Sequence, residues 1–192
     1  MAEMQRAGGP RRETSQETSQ QTGREARQDA RHDGRHDGRH DIRRGAPRES
    51  RLTRRVTTTL AVRTRPRGFT EITREVAAVL AEIGAGEGEV SVFCRHTSAS
   101  LAIQENADPD VRVDLLTALD RLAPEDAGWV HDLEGPDDMP AHVKALITGL
   151  HLAVPVIGGR MALGTWQGLY LIEHRARPHE RELVVAFTGD GD

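Results

Sequence analysis

One cysteine, Cys94, and one lysine, Lys144, are all that the 192 residues contain of either type. A single cysteine excludes an intrachain disulfide and fits a reducing compartment. No apolar run approaches the ~18 residues of a membrane-spanning helix. The N-terminus lacks the apolar core of a secretory signal. An Arg-rich start can mark a transit peptide, but this one is also rich in acids. The glycine patterns of a Walker loop or a dinucleotide-binding turn are missing as well. These absences lead to the expectation of a cytoplasmic protein with no membrane partner.

Large apolar residues are almost missing from residues 1–50, which hold 11 Arg against 9 Asp or Glu, a net of +2. The whole chain is −4, so −4 − 2 leaves −6 on residues 51–192. A mildly acidic domain has no general pull toward nucleic acid. Residues 1–50 cannot bury enough apolar surface to offset the entropy of ordering and are expected to be a disordered Arg/His/Asp-rich extension. The tract repeats Arg31-His32-Asp33-Gly34, Arg35-His36-Asp37-Gly38 and Arg39-His40-Asp41. Histidines four apart can bind metal, but a flexible charged tract is the plainer reading.

What is present begins at Val56. Val56 to Val62 is rich in Thr and Val, a strand signature. Phe69 to Ile83 has helical spacing at Ile72, Val76, Val79, Leu80 and Ile83, and the glycines from Gly84 to Gly88 end it. Glu89–Cys94 and Ser100–Gln104 read as strands. Asp108-Pro109 is an N-cap followed by a first-turn proline, opening a helix with Val111, Leu115, Leu119 and Leu122 on one face. A third helix starts near Asp138 to Pro140, with Val143, Leu146, Ile147 and Leu150 apolar. Leu152–Ile157, Arg160–Leu163, Gly168–Glu173 and Glu182–Phe187 read as strands, and Gly158-Gly159 as a hairpin turn. Consecutive strands joined by tight turns favour antiparallel pairing. The expectation is therefore one α+β domain over 51–192, mainly antiparallel sheet with about three helices.

Three polar stretches carry the chemistry: His96 to Ser100, Glu105 to Asp110, and His131 to His142. The third packs two His, four Asp or Glu at 132, 134, 137 and 138, and two Pro into twelve residues. Such acid density calls for solvent, a cation or basic partners, because clustered carboxylates repel. If Pro140 opens the helix, His142 sits in its first turn. There the dipole disfavours the imidazolium and leaves the ring free to bind a metal or accept a proton. The same helix end suits a phosphate, with Lys144 able to support the anion. A loop rich in Asp and Gly is equally read as solvated surface. Trp166, between Gly164 and Gly168, walls a pocket or sits in the core. Glu173 ends a strand, either beside the site or in a surface ion pair. His151 and His179 read as exposed or edge residues, and Cys94 as a small buried thiol.

Taken together, four strings resemble the YjbQ-like (UPF0047) family. They are His96-Thr97-Ser98-Ala99-Ser100-Leu101, then Glu105-Asn106-Ala107-Asp108-Pro109-Asp110-Val111, then His131 through Lys144, then Leu163-Gly164-Thr165-Trp166-Gln167-Gly168. Glu173-His174-Arg175 continues the match, which spans about residues 54–190. Some relatives carry Asp-Gly-Pro-Arg after the glutamate that Glu173 matches; here the run is His174-Arg175-Ala176-Arg177-Pro178.

The resemblance implies a homotrimer with a site near the subunit boundary. It implies a secondary thiamine-phosphate synthase, joining a pyrimidine-methyl diphosphate to a thiazole phosphate and releasing pyrophosphate. The partner would be a small phosphorylated metabolite. Departure of diphosphate needs a divalent cation, Mg²⁺ or Zn²⁺, or cationic side chains. His131 and His142 are the first choice as metal ligands, joined by Asp138 or Glu173. His96, Glu105, Asn106 and Asp108 are the candidates for proton transfer. Thr97, Ser98, Lys144, Trp166, Gln167 and Arg175 are the candidates for substrate binding. A metal-dependent hydrolase and a non-catalytic metal- or metabolite-binding trimer are the alternatives.

Overall fold

The computed structural model describes residues 46, 47, 49 and 52–191. The expected disordered extension and its His repeat lie outside these residues, apart from 46, 47 and 49.

The Thr/Val run forms β1 (Arg54–Arg63), an edge strand whose side chains are at most half-buried. β2 (Gly68–Glu71) and α1 (Thr73–Glu82) follow. Helical spacing over 69–83 suggests one helix. Instead Phe69 pairs with Ile172 and the helix starts at Thr73, so strand pairing overrides the local period in its first residues. Val76 and Leu80, one turn apart, are the face that α1 buries.

Gly84, at φ 57°, ends α1, and β3 (Ala85–Cys94) begins at once, so Gly86 and Gly88 are strand residues rather than a loop. A Cβ on Gly88 would lie 2.4 Å from the Thr188 carbonyl oxygen, so the backbones approach too closely there for any other residue. β4 (Ala99–Glu105), α2 (Pro109–Leu122) and α3 (Asp138–Thr148) follow. Asp108 caps α2 by accepting the Asp110 N–H at 2.8 Å, and Pro109 takes the first helical position, as the sequence suggests. The chain closes with β5 (His151–Ile157), β6 (Arg160–Met161), β7 (Gln167–Glu173) and β8 (Glu180–Gly191). The β5–β6 turn places Gly158 and Gly159 at φ 56° and 76°, the left-handed pair that such a hairpin requires.

Every strand pair is antiparallel. The five-stranded sheet runs β1-β8-β3-β5-β6 and the three-stranded sheet β2-β7-β4. The fold is α+β, as expected. Val90 and Val92 of β3, Val154 of β5, and Leu183, Val185 and Phe187 of β8 meet Leu101 of β4 and Leu169 and Leu171 of β7 in one core with α1. On the other side of the small sheet, α3 packs against β4 and α2 against β2.

The apolar face expected for α2 is the inward one, with Leu119 buried and Val111 and Leu115 half-buried before an exposed end, whereas the face expected for α3 is not the one buried. Leu146 is 84% and Leu122 63% exposed. α3 turns Asp138, Pro140, Ala141, Lys144 and Ala145 inward instead. Small side chains let it lie close to β4, and its two buried charges find partners elsewhere, Asp138 in Arg175 just after β7 and Lys144 in Asp120 of α2. Among the described residues no helix is long and apolar enough to cross a membrane.

Candidate functional site

The register of β4 against β7 decides which polar strings meet. Ala99 lies opposite Glu173, and Glu105 opposite Gln167. The stretch before β4 therefore joins the end of β7, while the stretch after β4 joins its start.

At the first end, Glu173 is fully buried. Arg181 of β8 grips it through Nε at 2.8 Å and Nη2 at 2.6 Å, and the Thr64 hydroxyl donates to it at 2.8 Å. The Arg175 N–H adds a bond at 3.0 Å. Burial alone would raise this carboxyl, but Arg181, the Arg175 N–H and Thr64 together hold it below its usual range. Arg181 also donates to the Ser98 hydroxyl at 3.1 Å, which fixes the 96–98 turn. Glu173 is thus neither a surface ion pair nor a member of the His131 group; its oxygens are taken.

The His131 group stands beside this network. Asp138 and His142 are i and i+4 on α3, hence neighbours on one face. Pro140 is the third residue of α3, so His142 lies deeper in the helix than a Pro-first start would place it. Asp138 Oδ2 is 2.7 Å from His131 Nε2 and 3.3 Å from His142 Nε2. The other nitrogen of His142, Nδ1, is 3.0 Å from the Thr97 carbonyl oxygen. A carbonyl only accepts, so that contact puts the proton on Nδ1 and turns Nε2 toward the cluster. The three ligand atoms of His131, Asp138 and His142 all lie within 4.8 Å of one another.

Arg175 ties this group to β7. Its Nη1 bonds Asp138 Oδ1, its Nε bonds Asp137 Oδ2 at 3.0 Å, and its Nη2 bonds the Glu134 carbonyl at 2.8 Å. Burial would raise Asp137, but the Ala176 N–H at 2.7 Å and Arg175 hold it low. A cavity of about 260 Å³ opens on the far side of Arg175, with Gly135, Asp137, Arg177 and His179 in its wall. A second, mostly apolar cavity of about 480 Å³ lies against Thr97, His142 and Leu146.

His96 lies on the β8 side, where its Nε2 accepts the Glu182 N–H at 2.8 Å. Burial first, then Arg181, lowers its pKa. Thr97 is exposed and enters through its carbonyl alone. Lys144 is two residues from His142, so it projects from a different face of α3, buried against Asp120 of α2 at 2.5 Å. It pairs with this exposed carboxylate of α2, not with an anion beside His142. Cys94 is fully buried, and burial raises its pKa, as suits an inert thiol.

Glu105, Asn106, Asp108, Trp166 and Gln167 gather at the other end of β4. Asn106 N–H donates to the Trp166 carbonyl at 3.0 Å and its Nδ2 to the Gln167 carbonyl at 3.4 Å. Gln167 Oε1 accepts the Gly164 N–H at 2.8 Å. Trp166 is 65% exposed and so is no core residue. Six strand steps of ~3.4 Å, about 20 Å, separate this cluster from Ala99. Within one chain the candidates therefore fall into two clusters, not one site.

Arg181, Thr64, Asp137 and the pair Ser100–His174 are structural participants that the sequence reading missed. Arg181 did leave a signal: it continues the inward set Leu183, Val185 and Phe187 at period two. An arginine on a buried strand face requires a buried acid. His174 is 3% exposed, with Nε2 2.8 Å from the Ser100 hydroxyl. Burial, then Lys144, pushes it from 6.5 to about 4. The unfolded chain takes up a proton that the folded chain refuses. The stability this contributes is complete above pH 6.5 and is lost as pH falls toward 4, up to about 3 kcal/mol. His96 acts in the same sense, and Glu173 and Asp137 extend the loss below the carboxylate range. The melting temperature is expected to drop through this window, and His174→Gln to flatten the slope by one proton. Identical slopes for the two proteins would rule this account out.

Comparison with known proteins agrees with this architecture. The model of the UPF0047 protein YjbQ-like family matches residues 58–190. A UPF0047 protein of Synechocystis sp. is 46% identical over 132 residues, 68% of this chain and 90% of that one. UPF0047 protein YugU of Bacillus subtilis is 42% identical over 134 residues, 68% of this chain and 98% of that one. Among solved structures, a conserved hypothetical protein from Thermus thermophilus superimposes with a TM-score of 0.61 at 41% identity, covering 67% of this chain and 97% of that one. With nearly the whole described domain matched by the family model, the chain belongs to the UPF0047 protein YjbQ-like family.

Proposed function

We propose that this protein is a metal-assisted enzyme acting on a small phosphorylated metabolite in the cytoplasm, with thiamine-phosphate synthesis as its leading reaction. One observation carries the reading: His131, Asp138 and His142 bring two imidazole nitrogens and a carboxylate oxygen within 4.8 Å of one another. This donor set suits a Zn²⁺-like ion better than Mg²⁺, which prefers an all-oxygen shell. A divalent cation held there would supply positive charge to a departing diphosphate. Arg175, tethered to Asp137 and Asp138, orients the carboxylate. Arg177 and His179, in the cavity on its far side, are placed to attract phosphate. Thr97 fixes the tautomer of His142 through its carbonyl.

Hydrolysis is the second reading, favoured by the count of donors. Three protein ligands leave coordination positions open to substrate. The homotrimer belongs to the same proposal. Leu146 and Ile147 of α3 and Val130 and Leu133 of the loop before it are exposed apolar side chains flanking the His131 group. A neighbouring subunit would cover them and could bring its Glu105–Asn106 cluster to the site. A monomer mass by light scattering would remove the trimer.

The test is turnover. Purified protein given both phosphate substrates with Zn²⁺ or Mg²⁺ is expected to form the coupled product, and His142→Ala to lose it. Product formed equally by His142→Ala would sink the reading. Phosphate release from a single substrate, dependent on His142, would replace synthesis with hydrolysis.

A further inference from the structure

A third cavity, of about 340 Å³, lies between β2, β7 and α2, apart from the His131 group. Its wall is formed by Arg65, Phe69, Thr70, Glu71, Arg112 and Tyr170.

Its polar groups are short of partners. Arg112 stands over the Tyr170 ring at 5.6 Å and donates only at long range, to the Glu105 carbonyl at 3.3 Å and the Tyr170 oxygen at 3.4 Å. Neither Arg112 nor the exposed Arg65 forms an ion pair with a carboxylate among the described residues. Glu71, the one acid in the wall, already accepts the Thr73 hydroxyl at 2.9 Å. Phe69 meets Tyr170 edge to face at 5.7 Å, giving the cavity an aromatic side.

We propose that this cavity is a second ligand site, independent of the His131 group, for a small metabolite bearing a phosphate or carboxylate. The guanidinium groups of Arg65 and Arg112 take the oxyanion, since their planar donors match its geometry. Phe69 and Tyr170 hold the flat or apolar remainder against their rings.

Tyr170 is the only tyrosine in the chain, so its ring reports on this cavity alone. The full-length protein, carbon-13 labelled at tyrosine, is titrated with inorganic phosphate and, separately, with acetate. The Tyr170 ring signals are expected to shift saturably, with a Kd of about 1 mM or tighter for one of the two. Saturation by phosphate assigns the site to phosphate esters, and saturation by acetate to carboxylates. Arg112→Gln is expected to weaken binding about tenfold or more, while His142→Ala leaves the Tyr170 response in place. Arg65→Gln repeats the test should Arg112→Gln fail to fold. An unmoved Tyr170 signal with both anions would overturn the proposal, as would a folded Arg112→Gln protein that binds as tightly as the parent.

Discussion

Arg181→Ala is expected to cost about 3–5 kcal/mol of folding stability, read by denaturant unfolding at neutral pH. Glu173 would keep the Thr64 hydroxyl and the Arg175 N–H but lose the cation that offsets its desolvation. Removing one partner of a buried pair is far worse than removing both, because the orphaned charge stays in a low-dielectric interior. The double variant Glu173→Leu/Arg181→Met should therefore recover much of the loss. Domains of this size have only about 5–15 kcal/mol to lose, so the single variant approaches unfolding. A cost below about 1 kcal/mol is what an exposed pair gives, and it would show that Glu173 is solvated.

The second large effect concerns metal affinity. His131→Ala and His142→Ala are each expected to weaken Zn²⁺ binding on the order of 100-fold or more, since each removes one of three donors. Arg175→Gln should weaken it less, by about 10–100-fold, because it frees Asp138 without deleting a ligand. Calorimetric titration of metal-free protein reads all three. Equal affinity in the parent and both His variants would remove the site from this place.

The fold was legible where a residue's local pattern and its tertiary setting agree. Asp108-Pro109 opens α2, Gly158-Gly159 turns the β5–β6 hairpin, and the inward set Leu183, Val185 and Phe187 lies in β8. It was not legible where pairing with a distant strand took over. Phe69 to Glu71 carries helical spacing yet pairs with β7, about a hundred residues on in sequence. The buried face of α3 carries Asp138 and Lys144 because Arg175, just after β7, and Asp120 of α2 pair with them, partners that no helical periodicity records.

The candidate site divides along the same line. His131, Asp138 and His142 are close in sequence and one helical turn relates two of them, so their grouping could be read from spacing. The β4–β7 register could not. It sends Glu105 and Gln167 to one end of the small sheet and Glu173 to the other. Glu173 was drawn to the metal group by its position in the chain. Arg181, from the other sheet, claims it instead.

Soaking crystals of the full-length protein with Zn²⁺ and measuring anomalous scattering at the zinc edge tests the central claim most directly. The account predicts one strong peak per chain, bound by His131 Nε2, Asp138 Oδ2 and His142 Nε2. A peak elsewhere, or none at these three residues at saturating metal, would contradict it.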